Sequence, residues 1–239
     1  MNEFTTFANR DVCDLIFRDY NTKKEFENLD YANVTAIDMT GDSGFAYGGK
    51  GHPKRVGFNG DKGGTLKIET QMQTAKLYSL MTGAEIEKTA KWLKREEIVA
   101  GDGTLTLSET PIGDTVNVYA ADDDCGVLID STVEGTTVTA EVTAGQSYVA
   151  YYQVELANVH KLNIKSTTFP KAFEIYGDTW DKTEDDVIIS QKMIVYKAQP
   201  QTNFTVSTSN TGDPATLTIT LDLFADKGNN MLDLIFDKN

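Results

Sequence analysis

The sequence predicts a mainly β protein that carries one short α-helix. Two observations lead there. Period-2 alternation of Val, Ile, Leu, Phe, Tyr and Thr recurs in short runs along the chain, and Gly, Asp and Asn punctuate those runs as turns. One segment alone, 74–83, spaces its apolar residues as a helix does.

Taken in order, Val12–Arg18 alternates as a strand, and Asp19–Lys24 reads as a turn before a weaker strand at Glu25–Leu29. Tyr31–Met39 alternates again, with Val34, Ile37 and Met39 as core candidates. Gly41–Arg55 holds five glycines and Pro53 and reads as a long mobile loop with a basic tip at Lys50, Lys54 and Arg55. Strands resume at Arg55–Phe58 and Thr65–Thr70. The helix follows: Leu77, Leu80 and Met81 share one face, Thr74 suits the N-cap, and Gly83 stands where a left-handed residue ends a helix. Further strands are expected at 96–99, 104–107, 116–119, 127–129, 137–142 and 147–156, and then at 161–165, 172–177, 187–196, 203–209, 215–223 and 231–236. Disorder is expected at most in the first nine residues and the last few.

Charge is segregated. Glu96–His160 contains twelve Asp and Glu and no Lys or Arg, whereas residues 1–95 sum to +1 and 161–239 to −3, giving −14 in all. A block of one sign marks an interaction or repulsion surface. Its carboxylates have no internal partner, so they must face solvent or basic groups from elsewhere; Asp122, Asp123, Asp124, Asp130 and Glu134 are its acidic-patch candidates. The overall sign disfavours nonspecific DNA binding.

Chemistry-bearing motifs are sparse. Cys13 and Cys125 lie far apart with no CxxC or Cys/His cluster, so the expectation is two free thiols and no zinc. His52 and His160 have no Ser, Cys or carboxylate at a motif spacing. Gly48–Arg55 departs from the phosphate-loop pattern and no helix follows it. Asp122–Gly126 and Asp181–Asp186 lack EF-hand spacing and read as solvated turns rather than Ca²⁺ sites. Tyr148, Tyr151 and Tyr152 suit sheet packing better than a sugar platform. No catalytic residue, metal or cofactor is expected. The start of the chain lacks a basic n-region and an apolar h-region, and no run is long enough to span a membrane, so assembly in a cytoplasm is expected.

An ordered set of segments resembles the phage major tail tube protein family: Leu15–Asp19, Asp30–Asp38, Ala46–Gly51, Lys54–Phe58, Thr65–Thr70, Leu80–Ile86, Phe169–Gly177, Gln191–Ala198, Phe204–Val206 and Asp213–Leu217. The resemblance covers residues 10–95 and 160–239. It implies two antiparallel sheets packed as a barrel-like sandwich with one flanking helix, built from 1–99 and 159–239, and an acidic β-rich insertion at 100–158. It also implies hexameric rings that stack into a hollow tube conducting DNA in the virion tail. Gly44, Gly48, Gly49, Lys50, Gly51, Lys54 and Arg55 then become the inter-ring stacking loop. Ile189, Gln191, Met193 and Val195, on a long strand, become candidates for the channel sheet. The partners are further copies of the chain and other tail proteins: tape measure, baseplate and terminator, with a sheath as a further candidate. DNA passes without specific binding, and no membrane is involved. Other readings are a different β-structural virion protein, such as a terminator, baseplate hub or decoration protein, or a carbohydrate-binding β-sandwich.

Overall fold

In the computed structural model, residues 6–208 and 210–237 are described. They form two compact units, one from the residues up to Glu85 and from Ile164 onward, the other Ile86–Asn163.

The first unit is one nine-stranded antiparallel sheet with a helix. Its strands are β1 (Phe7–Asn9), β2 (Asp14–Asp19), β3 (Glu25–Leu29), β4 (Val34–Tyr47) and β5 (Lys54–Thr70). The helix α1 (Ala75–Thr82) follows them. After the second unit (β6–β11, ranges given below) come β12 (Phe173–Thr183), β13 (Ile188–Pro200), β14 (Leu217–Leu223) and β15 (Leu232–Asp237). The strand order is β3-β2-β12-β13-β14-β5-β4, with β1 on the far end of β12 and β15 on β13. β13 changes neighbour along its length. Its first half pairs β15, from Ser190↔Asp237 to Val195↔Leu232, and its end pairs β14, from Ala198↔Leu223 to Pro200↔Leu221.

Alternation explains the core. In β2 and β14 every second residue is buried, as period-2 pleating requires. Leu15 and Phe17 of β2, Leu66 and Ile68 of β5, Ile175 of β12, Val195 of β13 and Ile219 of β14 belong to one cluster. Opposite halves of the sheet therefore pack on each other. They are joined by hydrogen bonds through β13 instead of forming two separate sheets, and no closed barrel results. Each fully buried Leu, Ile or Phe contributes about 1.5–3 kcal/mol.

The helix forms as its sequence dictates. Thr74 is extended and its side chain accepts from Leu77 N at 3.2 Å. Gly83 is left-handed at φ 71 and donates from its N–H to Ser79 O at 2.8 Å. Leu77, Leu80 and Met81 seat the helix on the core. Gly83 is also held close to another segment: a Cβ there would lie 2.2 Å from Phe169 O.

The second unit has two three-stranded sheets: β6 (Ile86–Val99), β11 (Ser147–Leu162) and β8 (Asn117–Ala120), with β11 central; and β7 (Thr104–Thr106), β10 (Thr137–Ala140) and β9 (Ser131–Glu134), with β10 central. Leu105, Leu107, Val118, Val138, Tyr152 and Val154 are among its buried core. β6 and β11 pair from Val99↔Ser147 to Ile86↔Leu162. The compact unit that this ladder closes, Ile86–Asn163, contains the 100–158 segment.

Several expectations give way. Gly41–Arg55 is a strand hairpin closed by a short turn, because β4 and β5 stay paired as far as Tyr47↔Lys54. Phe7–Asn9 forms β1 on β12 instead of being disordered, while residues 1–5 and 238–239 of that expectation lie outside the described residues. The expected strand at 127–129 reduces to a single bridge, Val118↔Ile129. Asn203–Thr208 carries no strand, and Ser209 of that expectation lies outside the described residues.

Candidate functional site

The β4–β5 hairpin is the first candidate surface. Its turn puts three residues at positive φ: Gly49 (φ 88) and Gly51 (φ 87), where glycine meets no steric cost, and His52 (φ 46). Gly48 N donates to Pro53 O at 3.3 Å, and Arg55 Nε donates to Gly48 O at 3.2 Å. Proline fits because the turn uses its carbonyl and not an N–H. Gly44 lies within β4 opposite Phe58; Gly48–Gly51 form the turn; Lys54 and Arg55 open β5.

From Met39 to Tyr47 and from Lys54 to Lys62 every residue of this ribbon is exposed. We call this distal stretch the arm. Period-2 geometry then presents apolar side chains on both faces: Phe45 and Tyr47 on one, Val56 and Phe58 on the other. Lys54 Nζ sits 3.7 Å from the Phe45 ring centroid, a cation–π contact that places charge beside the aromatic. A two-stranded ribbon with no third layer is marginal alone. The sequence places Val56 and Phe58 on a strand but leaves Phe45 and Tyr47 in a loop, and it marks none of the four as an exposed apolar surface.

The long strand is where the sequence places it, but in the middle of the sheet. Ile189, Met193 and Val195 point into the core, and Gln191 is half-buried. With its side-chain amide turned to donate, Gln191 reaches the buried Asp181 carboxylate at 3.0 and 3.3 Å; Asn9 Nδ2 donates to the same carboxylate at 3.1 Å. Ile189, Met193 and Val195 thus lie on the inward-facing side of the strand, with Gln191 partly open beside them. Ser190, Lys192, Ile194 and Tyr196 occupy the other face.

The second unit carries thirteen acidic and five basic residues, and all five bases lie on β6 or β11: Lys88, Lys91, Lys94, Arg95 and Lys161. Asp124 is drawn to them. It accepts from Arg95 Nη2 at 2.7 Å, Arg95 Nε at 3.0 Å and Tyr151 Oη at 3.0 Å. The Arg95 contact holds its carboxyl below the usual range. The Cys125 thiol, followed by desolvation and Asp124, pushes the Tyr151 phenol up to about 12. Asp123 caps Val127 N at 3.0 Å. Asp122, Asp130 and Glu134 are solvated.

Nearer the core, Glu96 Oε2 accepts from Tyr152 Oη at 2.5 Å, Ser108 Oγ at 3.0 Å and Ser108 N at 3.2 Å. Burial raises the Glu96 pKa, but these donors outweigh it and the net shift is downward. Tyr148 and Tyr152 pack in the core, whereas Tyr151 faces outward.

His52 is exposed in the hairpin turn and His160 is exposed on β11. Among the described residues no group of three or more His, Cys, Asp or Glu converges as metal ligands. Cys13 is buried and Cys125 exposed, both free.

The sequence matches the YomU/Tube protein family over residues 9–235. The chain belongs to that family. The match runs through both units, so the acidic unit is within the family's span rather than outside it. The family name suggests a tube-like structural protein of a phage and, with it, a virion component. A search of curated proteins gives no match.

Proposed function

We propose that this protein is a major tail tube subunit. Six copies form a ring, rings stack into a hollow tube, and DNA passes through the lumen during ejection. The role is non-catalytic and needs no cofactor. Its further partners are the tape measure, baseplate and terminator proteins of the same virion tail, with a sheath in tails that have one.

The observation that carries this reading is the arm, found in a member of a tube family. A solvent-exposed ribbon with Phe45, Tyr47, Val56 and Phe58 on its two faces is out of place on a monomer and is suited to burial against another copy. The charge supports the conduit. At −14 the subunit repels phosphate instead of holding it by counterion release. The acidic unit, which has its own core, is proposed as an exterior lobe of the tube.

The arm can be removed cleanly. Ser43 and Asn59 are register partners, so Gly44–Phe58 can be replaced by an Asn-Gly turn without breaking the ladder below. The shortened protein should stay folded by circular dichroism and sediment as a monomer under conditions where the parent forms rings or tubes. Tube formation equal to the parent's would show that the arm is not the contact that builds the tube, and a parent that forms neither rings nor tubes would overturn the reading.

A further inference from the structure

At one end of the first unit's core a groove opens, with a volume of about 340 Å³. Its apolar lining includes Ile37 and Met39 of β4, Leu66 of β5, Met193 of β13 and Leu234 of β15. The size suits one or two side chains. A second cleft shares Asp11 and Thr179 with it and is lined by Asp14, Asp178 and Trp180. Apolar floor and acidic rim are therefore contiguous.

The rim is under electrostatic tension. Asp14 and Asp178 are direct register partners across the β2–β12 ladder. Like charges directly opposite on adjacent strands destabilise a sheet. Among the described residues no ion pair engages either one. Asp11 is already occupied, accepting from Trp180 Nε1 at 2.7 Å. The buried thiol of Cys13 records the same field. Desolvation, then Asp178 and Asp14, push it up to about 11. A cation from outside would relieve the Asp14–Asp178 pair.

The arm offers the complement. Tyr47, Val56 and Phe58 are each more than half exposed, and Lys54 lies over the Phe45 ring with Arg55 next in sequence. Cation stands beside aromatic on the arm as carboxylate stands beside cavity in the groove. The tip of the arm, Gly44–Phe58, and the groove, which includes Met39 at the arm's base, are different surfaces of one chain. A contact between them is heterologous and propagates from copy to copy instead of closing a two-fold dimer.

We propose that the arm of one copy docks in the groove of the next, with an aromatic side chain in the cavity between β4, β13 and β15 and with Lys54 and Arg55 against Asp14 and Asp178. This rests on the tube reading and names the receptor site on the neighbouring copy.

The test uses the full chain and charge exchange. Lys54→Glu/Arg55→Glu should lower the yield of pelletable assemblies at least tenfold, and Asp14→Lys/Asp178→Lys should do the same. Mixing the two variants should restore assembly, since each supplies the surface the other lacks. Asp14→Asn/Asp178→Asn covers the case in which the lysines prevent folding: its monomer should melt higher than the parent while its assembly at low salt weakens. A photo-crosslinker at Phe58, in a mixture with isotope-labelled chains, should join residues 9–14, 177–180, 190–193 or 232–234 of the other copy. If the arm variant fails to assemble but the groove variants assemble normally, or if the crosslinks fall elsewhere, the docking site is wrong and the tube reading stands. If the arm variant assembles like the parent, Lys54 and Arg55 take no part in the contact and the docking falls; if the parent itself forms no assemblies, the tube reading falls with it.

Discussion

Excising the acidic unit should leave the first unit as stable as before, and the register says where to cut. Ile86 and Leu162 are partners at the foot of the β6–β11 ladder, so their Cα atoms are about 5 Å apart. Glu87–Lys161, 75 residues, can then be replaced by Asn-Gly, a two-residue hairpin turn. None of the residues in the first unit's core cluster lies in the removed segment. While the second unit is folded it already holds the two ends together, so the excision should change the first unit's unfolding free energy by less than about 1 kcal/mol. The contrast is a chain whose second unit is unfolded, for example by Val138→Asp in its core. There the first unit must close a 75-residue flexible loop instead of a two-residue turn. That difference is roughly five doublings of loop length, and at about 0.6 kcal/mol each it amounts to roughly 3 kcal/mol. Urea unfolding of the three proteins, followed by near-UV circular dichroism, measures both numbers. An excised protein that does not fold, or a Val138→Asp chain whose first unit keeps full stability, would refute the division into two independently cored units.

Three further outcomes follow from single contacts. Gly83→Ala adds a Cβ 2.2 Å from a main-chain carbonyl at a left-handed residue; it should cost about 2–4 kcal/mol in chemical denaturation, and a loss below about 0.5 would show that the close approach of Phe169 is not real. Glu96 is held as a carboxylate below its ordinary pKa of about 4.3, so its stabilising effect is complete above that value and is lost as pH falls through the lower folded-state value. Glu96→Gln should therefore flatten the acid limb of the second unit's stability, and Tyr152→Phe should cost about 1–2 kcal/mol at neutral pH; identical acid limbs in Glu96→Gln and parent would remove Glu96 from the account. Asp124→Ala frees the segment after β8 from Arg95 and Tyr151, and limited proteolysis should cut within 121–128 several-fold faster with the melting temperature unchanged; equal cleavage rates would mean the latch does not order the segment.

Much of the fold was legible because one face of each element is buried. The 74–83 segment carries its cap, its apolar stripe and its terminating glycine in order, and all three act as the sequence implies. β14, Leu15–Phe17 of β2 and the end of β5, Leu66–Thr70, show their alternation in the burial of every second residue. Apart from Arg55–Phe58 and 96–99, the arm and β6 were hidden for the opposite reason. Met39–Tyr47, Lys54–Lys62 and most of Glu87–Arg95 are exposed on both faces, so no alternation separates strand from loop. Glycines at 41, 44, 57, 60, 63 and 64 deepen the disguise, since glycine usually weakens a strand. The length of β13 was legible but its facing was not, because one residue of register exchanges core for surface. The Arg95–Asp124–Tyr151 latch depends on the Arg95↔Tyr151 pairing across β6 and β11, and no local pattern encodes that. Conversely, 203–208 has the composition of a strand but is irregular.

The central claim is that copies of this chain build a hollow tube through their arms. Electron microscopy of the purified full-length protein, imaged at physiological salt and after concentration, tests it directly. The account predicts rings with six-fold symmetry and stacked hollow tubes whose lumen admits duplex DNA. A population that stays monomeric at every concentration, or that forms only closed two-fold dimers, would contradict it.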